Sequence, residues 1–297
     1  MKKLIGQLIL FLIALGFGYG LLYLALDRYY NPPLKASADT VFIWGDSQTY
    51  QGLDLELLAE QTGKKTYSAA MHGAGVYDFL VFTERVPENA QIVISISKLV
   101  QVRRIEKDRN QAGISMSSIL KMASSGYSIS ALKSIVLKNF KPKKLMFQSS
   151  VLYENLETPK SEKDLKNFIS YYQKVPEFLT QKEDIITLGI DRLKSKKCSI
   201  IYVNFPFHPR LDSIEQHSPI KEITDHFYNK IYKDLEADTL FLDNTSNVMY
   251  DLSHLNKRGA TLVTNHLSNK IQEGRFEGAL NVEIELKRKD DEKNNSK

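Results

Sequence analysis

A chain of 297 residues that is 42% hydrophobic has material for one large domain with its own core. Lys and Arg number 40 against 35 Asp and Glu, a formal charge of +5, too weak to argue for nucleic acid, and no helix-turn-helix, RNA-binding signature or zinc-ligand spacing is present. Cys198 is the one cysteine, which excludes an intramolecular disulfide and leaves the redox compartment open.

Residues 1–27 read as a membrane anchor. Leu4 to Leu26 is apolar almost throughout, and its length of about twenty residues suits the hydrocarbon core of a bilayer. Lys2 and Lys3 place the N-terminus on the cytoplasmic side and the body of the chain beyond the membrane. Ala36-Ser37-Ala38 resembles a signal-peptidase site, so cleavage is the rival reading. A retained anchor is favoured, because the apolar run is long and Asp27 to Pro33 separates it from the small residues. Residues 28–39 form a linker, with Tyr29 and Tyr30 suited to an interface and Pro32 and Pro33 stiffening it.

Strand and helix patterns alternate from there. Strands are predicted at Thr40–Trp44, Lys65–Ala69, Gln91–Ser97, Ser199–Asn204 and Thr239–Leu242. Helices are predicted at Asp54–Gln61, Gly75–Arg85, Lys182–Lys196, Ile220–Leu235 and Asn256–Ile271. Residues 98–181 break the rhythm. Weakly amphipathic stretches such as Ser117–Met122, Ile129–Leu137 and Leu165–Tyr172 predict a largely helical insertion or lid. Its basic middle, Lys138, Lys141, Lys143 and Lys144, fits a solvated surface, an anionic lipid surface or an acidic polymer alike. Residues 276–297 read as a polar, disordered tail. The alternation predicts an α/β protein with a parallel sheet covered on both faces, in a domain spanning 40–275.

In such sheets ligands bind beyond the carboxyl ends of the strands. Gly45-Asp46-Ser47 follows the first strand, and Asp251-Leu252-Ser253-His254 precedes the last predicted helix. A serine hydroxyl becomes a nucleophile when a base accepts its proton, histidine suits that role near neutral pH, and a carboxylate orients the imidazole. Ser47, His254 and Asp251 are therefore the candidate catalytic residues. Asp46 is expected to hold its loop through backbone hydrogen bonds. Gln48, His72 and His208 are candidate substrate contacts. Cys198 reads as a small buried residue in a strand, and a catalytic thiol is the sharper alternative. No residues fall at metal-ligand spacing, so neither a metal nor a cofactor is expected.

Gly45-Asp46-Ser47, the later glycine turn and Asp251-x-x-His254-Leu255 resemble the GDSL/SGNH hydrolases over roughly Thr40–Ser97 and Cys198–Ile271. The resemblance implies a three-layer α/β/α, flavodoxin-like sheet of SGNH type. It implies an oxyanion hole from the N–H groups of Ser47 and of Gly73 or Gly75. The family's Gly-x-Asn-Asp after the third strand is replaced by Ser97-Lys98-Leu99-Val100-Gln101, so Lys98 or Gln101 would supply the third donor. It further implies a membrane-anchored esterase or acyltransferase similar to envelope polysaccharide O-acyl enzymes and to the D-alanyl transfer protein of the lipoteichoic-acid pathway. Expected partners are an acylated glycan or envelope polymer, membrane lipid and other membrane proteins of a modification pathway. The expected location is a bacterial cytoplasmic membrane, crossed once, with the domain outside. The departure at Lys98 leaves a second possibility, an accessory subunit that binds and does not turn over.

Overall fold

The computed structural model describes residues 2–30, 34–35, 37–97, 120, 122–124, 149–153, 165–166, 169, 179–218, 221–233, 235–243 and 245–285. Most of the predicted insertion, including Lys98 and Gln101, lies outside the described residues, as does the chain beyond Glu285.

Helix α1, Lys2–Tyr30, runs three residues past the predicted anchor boundary. Its Ile5–Leu22 window has a mean hydropathy of 2.1 and none of it is buried against the rest of the chain. Side chains such as Leu10 and Phe17 stand exposed. The helix is long and apolar enough to cross a bilayer, a test that a signal sequence also passes.

Strand β1, Thr40–Trp44, is buried throughout. It leads into the short helix α2, Ser47–Gly52, and then α3, Leu55–Thr62. Strand β2, Lys65–Ser68, helix α4, Val76–Arg85, and strand β3, Gln91–Ile94, follow. After the insertion come α5, Leu179–Ser195, β4, Ser199–Asn204, α6, Pro209–Gln216, and α7, Lys221–Tyr232. The chain continues through β5, Ala237–Asp243, α8, Thr245–Val248, α9, Lys257–Gln272, and β6, Gly278–Glu285.

All pairings in the sheet are parallel, in the order β2-β1-β3-β4-β6-β5. Alternate residues feed two separate cores. Phe42, Trp44, Ile92, Ile94 and Tyr202 pack with α4 and α5 on one face. Val41, Ile43, Val93, Ile201 and Val203 pack with α3 and α9 on the other. The period of two along each strand thus builds the α/β/α layering, and both faces are apolar because both are covered. On the first face, the Lys196 ammonium donates to the carbonyls of Thr83, Glu84 and Val86 at 2.9, 2.9 and 2.6 Å, satisfying the C-terminus of α4. Burial, with the charge of Arg192, pushes its pKa down. Cys198 is half-buried against this core, and burial pushes its thiol up, which suits packing and not a nucleophile.

Residues 278–285 are not a disordered tail. They form β6, which lies inside the sheet between β4 and β5. Ala279 faces one core, and Leu280 and Val282 face the other. Gly278 opens this strand at φ +101°, and a Cβ there would sit 2.4 Å from the Glu236 carbonyl oxygen. That same oxygen accepts from the Ala279 N–H at 2.8 Å. Gly278→Ala is therefore expected to destabilise the domain by about 1–3 kcal/mol through backbone strain and clash. Denaturant melts would show the midpoint falling; an unchanged midpoint would mean that the β5–β6 start relaxes freely.

Candidate active site

The carboxyl ends of β1, β2, β3 and β4 and the loop after α8 meet at one edge of the sheet. β1 delivers Ser47 to the first position of α2. Asp46 caps that helix: its Oδ1 accepts from the Gln48 N–H at 3.0 Å. Its Oδ2 accepts a hydrogen bond from the Ser97 hydroxyl, tying the Ser47 turn to the segment just after β3. Both partners are buried. Asp46 thus holds its loop by a backbone contact, as expected, and by a side-chain contact to Ser97 that the sequence did not signal.

Asp251 and His254 sit on one tight loop. The Asp251 carboxylate accepts the N–H groups of Ser253 and His254 at 2.7 and 2.9 Å. The His254 carbonyl accepts in turn from the Tyr250 N–H at 2.8 Å. Immediately beyond, Asn256 caps α9 by accepting from the Gly259 N–H at 3.0 Å. Asn265 and Thr264 of α9 bond to Gln61 and to the Asp54 N–H at 2.8 and 2.9 Å. The loop is therefore anchored by its own turn and by the packing of α9 on α3.

The three predicted residues come together in a continuous line. The Ser47 hydroxyl lies 2.8 Å from His254 Nε2. His254 Nδ1 lies 2.8 and 2.9 Å from the two Asp251 carboxylate oxygens. With Nδ1 protonated toward Asp251, Nε2 is free to accept the serine proton. The side chains of His254 and Asp251 are 15% and 22% exposed, so the line is shielded yet reachable. Burial works to raise the Asp251 carboxyl. The hydrogen bond and charge of His254, with the Ser253 and His254 N–H groups, overcome it and hold the pKa below its usual value. The arrangement can move a proton from a hydroxyl to an imidazole and stabilise the imidazolium that results.

That depressed pKa fixes a sign. A carboxylate whose pKa is lower folded than unfolded contributes stability above the unfolded value and loses it as pH falls through the folded one. Asp251→Asn is therefore expected to flatten the loss of stability below pH ~4, where the unfolded carboxylate titrates. Melting curves of wild type and variant between neutral and acid pH check this; parallel curves would show that the His254 pairing is not coupled to folding.

The glycine turn lies alongside. The Met71 N–H donates to the Gly45 carbonyl at 3.2 Å, drawing the β2–α4 connection against the serine turn. Gly73 takes φ +72°, a left-handed conformation that favours glycine. The Gly75 N–H is committed to Asp78 Oδ2 at 2.8 Å. Among the described residues, the N–H groups of Ser47 and Gly73 have no acceptor. Of the two glycine alternatives, Gly73 therefore keeps a donor available.

The other candidates separate. His72 is exposed at the rim, 3.2 Å from Gln51 Nε2, edge-on to Tyr50, with its ring centroid 6.3 Å from that of His254. His208 caps α6, its Nδ1 accepting from the Arg210 N–H at 3.2 Å, and burial followed by the Arg210 charge lowers its pKa. Its own N–H donates to the Leu252 carbonyl at 2.9 Å, so the β4 loop braces the loop that carries Asp251 and His254. Gln48 departs from expectation. It is buried, and its amide donates to the carbonyls of Ser253 and Pro206 at 2.9 and 3.3 Å. The short turn of α2 aims it inward, toward the loops that carry those two carbonyls. Ser253 was not singled out, yet its hydroxyl lies 3.3 and 3.2 Å from Asp251 Oδ1 and His254 Nδ1. Its place beside His254 was the available signal.

No family model and no curated protein matches the chain. Among solved structures, it is similar to a Bacteroides fragilis protein assigned as an acylhydrolase, at 11% identity and a TM-score of 0.35, over 86% of this chain and 98% of that one. It is also similar to an acetyl xylan esterase from the rumen bacterium Butyrivibrio proteoclasticus, at 9% identity and a TM-score of 0.33, over 81% of this chain and 65% of that one. At this level of likeness no activity follows from either protein. What defines the site is its own composition: a parallel three-layer sheet carrying a hydrogen-bonded serine, histidine and aspartate beyond its strand ends.

Proposed function

We propose that the chain is a serine esterase or acyltransferase that acts on acyl esters of a cell-envelope polysaccharide or related polymer, tethered to a membrane by α1. The observation that carries the reading is the unbroken Ser47–His254–Asp251 line at 2.8 Å and 2.8 Å. The resemblance of Gly45-Asp46-Ser47 and Asp251-x-x-His254 to the GDSL/SGNH hydrolases supports the choice of ester chemistry. The apolar α1 supports the membrane setting.

Ser47 Oγ attacks the ester carbonyl as His254 Nε2 takes its proton. Asp251 keeps the imidazole in the Nδ1–H tautomer and stabilises the cation. The N–H groups of Ser47 and Gly73 receive the negative oxygen. His254 then returns the proton to the leaving alcohol, and an acyl group remains on Ser47. Water resolves this intermediate in hydrolysis, and a sugar hydroxyl does so in transfer. His72, at the rim, contacts the substrate outside the acyl group.

The full-length protein in detergent, given p-nitrophenyl acetate and separately an O-acetylated oligosaccharide, should release acetate or pass it to a second sugar. The same preparation carrying Ser47→Ala should do neither. Equal turnover by both proteins would end the proposal.

A further inference from the structure

We propose that Gln48 is the positioning residue that sets His254 against Ser47. The inference rests on the proton-transfer role given to those two residues above. Gln48 follows the serine directly, is 2% exposed, and joins three separate loops. Its backbone N–H is held by the Asp46 carboxylate at 3.0 Å. Its side-chain amide donates to the carbonyl of Ser253, the residue before His254, at 2.9 Å. The same amide donates to the Pro206 carbonyl in the β4 loop at 3.3 Å.

The consequence is geometric. Ser47 and His254 are 207 positions apart in the chain, and their side chains meet at 2.8 Å. The acid–base loop is braced on its outer side by α9 and on its flank by the His208–Leu252 contact. Only Gln48, among the described side chains, links the peptide next to His254 to the peptide next to Ser47. Both anchor points are backbone atoms one residue from a reacting group, so a displacement at the amide is passed on with little slack. The two N–H groups of one primary amide match two carbonyl acceptors. A side chain of equal length without donors leaves the buried Ser253 carbonyl and the partly buried Pro206 carbonyl without their amide partner and lets the loop recede. A shift of about 1 Å between reacting groups can cost on the order of a hundredfold in rate.

Gln48→Met keeps length and apolar volume and removes both donors. In the full-length protein the expected result is a fall in kcat of roughly ten- to a hundredfold, with KM within about twofold, because the substrate surface is untouched. A purely structural role would lower the amount of folded enzyme and leave the kcat of the folded fraction alone. A second arm isolates the route. Combined with His254→Ala, Gln48→Met should add almost nothing to the loss, since its effect passes through the imidazole. A third arm needs no activity: in protein with 15N-labelled histidine, the His254 ring resonances should shift or broaden in Gln48→Met. Unchanged kcat and ring signals, or full additivity with His254→Ala, would overturn the proposal. So would loss of fold in both Gln48→Met and Gln48→Asn, which would make the residue a requirement of the domain itself. A wild-type protein that hydrolyses no ester counts against the esterase reading alone, and the ring resonances still decide the role of Gln48.

Discussion

His254→Ala is expected to lower ester turnover by roughly 10^4-fold or more, and Ser47→Ala by a similar factor. Among the described residues, the hydroxyl has one base within reach, His254 Nε2 at 2.8 Å. Removing the imidazole leaves the serine protonated and the leaving alcohol without a proton donor. Removing the hydroxyl leaves the base nothing to activate except water. The two losses should not add, because both residues act in one step, and the double variant should fall to about the level of either single one. Thermal melts should stay close to wild type, since the serine and the histidine ring are only partly buried. Initial rates with p-nitrophenyl acetate check this. A His254→Ala protein within tenfold of wild type would mean that another group takes the proton.

Ending the chain after Arg275 is expected to abolish the folded domain. That boundary looked permissible in the sequence, yet it removes an interior strand. β6 pairs with β4 through Ile201↔Gly278 to Asn204↔Asn281, and with β5 through Ala237↔Ala279 to Asp243↔Glu285. Its loss leaves two strands with open edges and an uncovered core on each face. Leu280 and Val282 alone contribute about 1.5–3 kcal/mol each by burial, against a total stability for a typical domain of about 5–15 kcal/mol. The ladder bonds come in addition. A chain ending at Glu285 should keep the wild-type melting temperature. Circular dichroism and melting of the two truncations decide the matter; a cooperative, wild-type transition in the shorter one would contradict the place of β6 in the sheet.

How much of this was legible depended on how local the signal was. Thr40–Trp44 and Ser199–Asn204 are dense apolar runs flanked by polar turns, and their limits match the structure to the residue. β6 was missed because Glu283 and Glu285 run on into the charged C-terminal sequence, so composition hid an alternation of Leu280, Val282 and Ile284. Helix α6 was missed although Pro209 stands at its first position, where proline is well tolerated. The meeting of Ser47 with Asp251 and His254 was readable, because strand-end positions in a parallel sheet converge by topology. The direction of Gln48 was not. A six-residue helix carries too little periodicity to say which side is buried, and the carbonyls that receive its amide belong to loops more than 150 residues away. Ser97, likewise, gains its meaning only from the Asp46 carboxylate beside it in space.

The most direct measurement is covalent labelling of the full-length protein with a fluorophosphonate, followed by mapping of the modified peptide. An activated serine beside a base reacts with such a probe, and an ordinary surface hydroxyl does not. The expected result is one adduct, on Ser47, absent in Ser47→Ala and formed far more slowly in His254→Ala. Folded protein that takes no label, or label that persists in Ser47→Ala, would contradict a nucleophile at the head of α2.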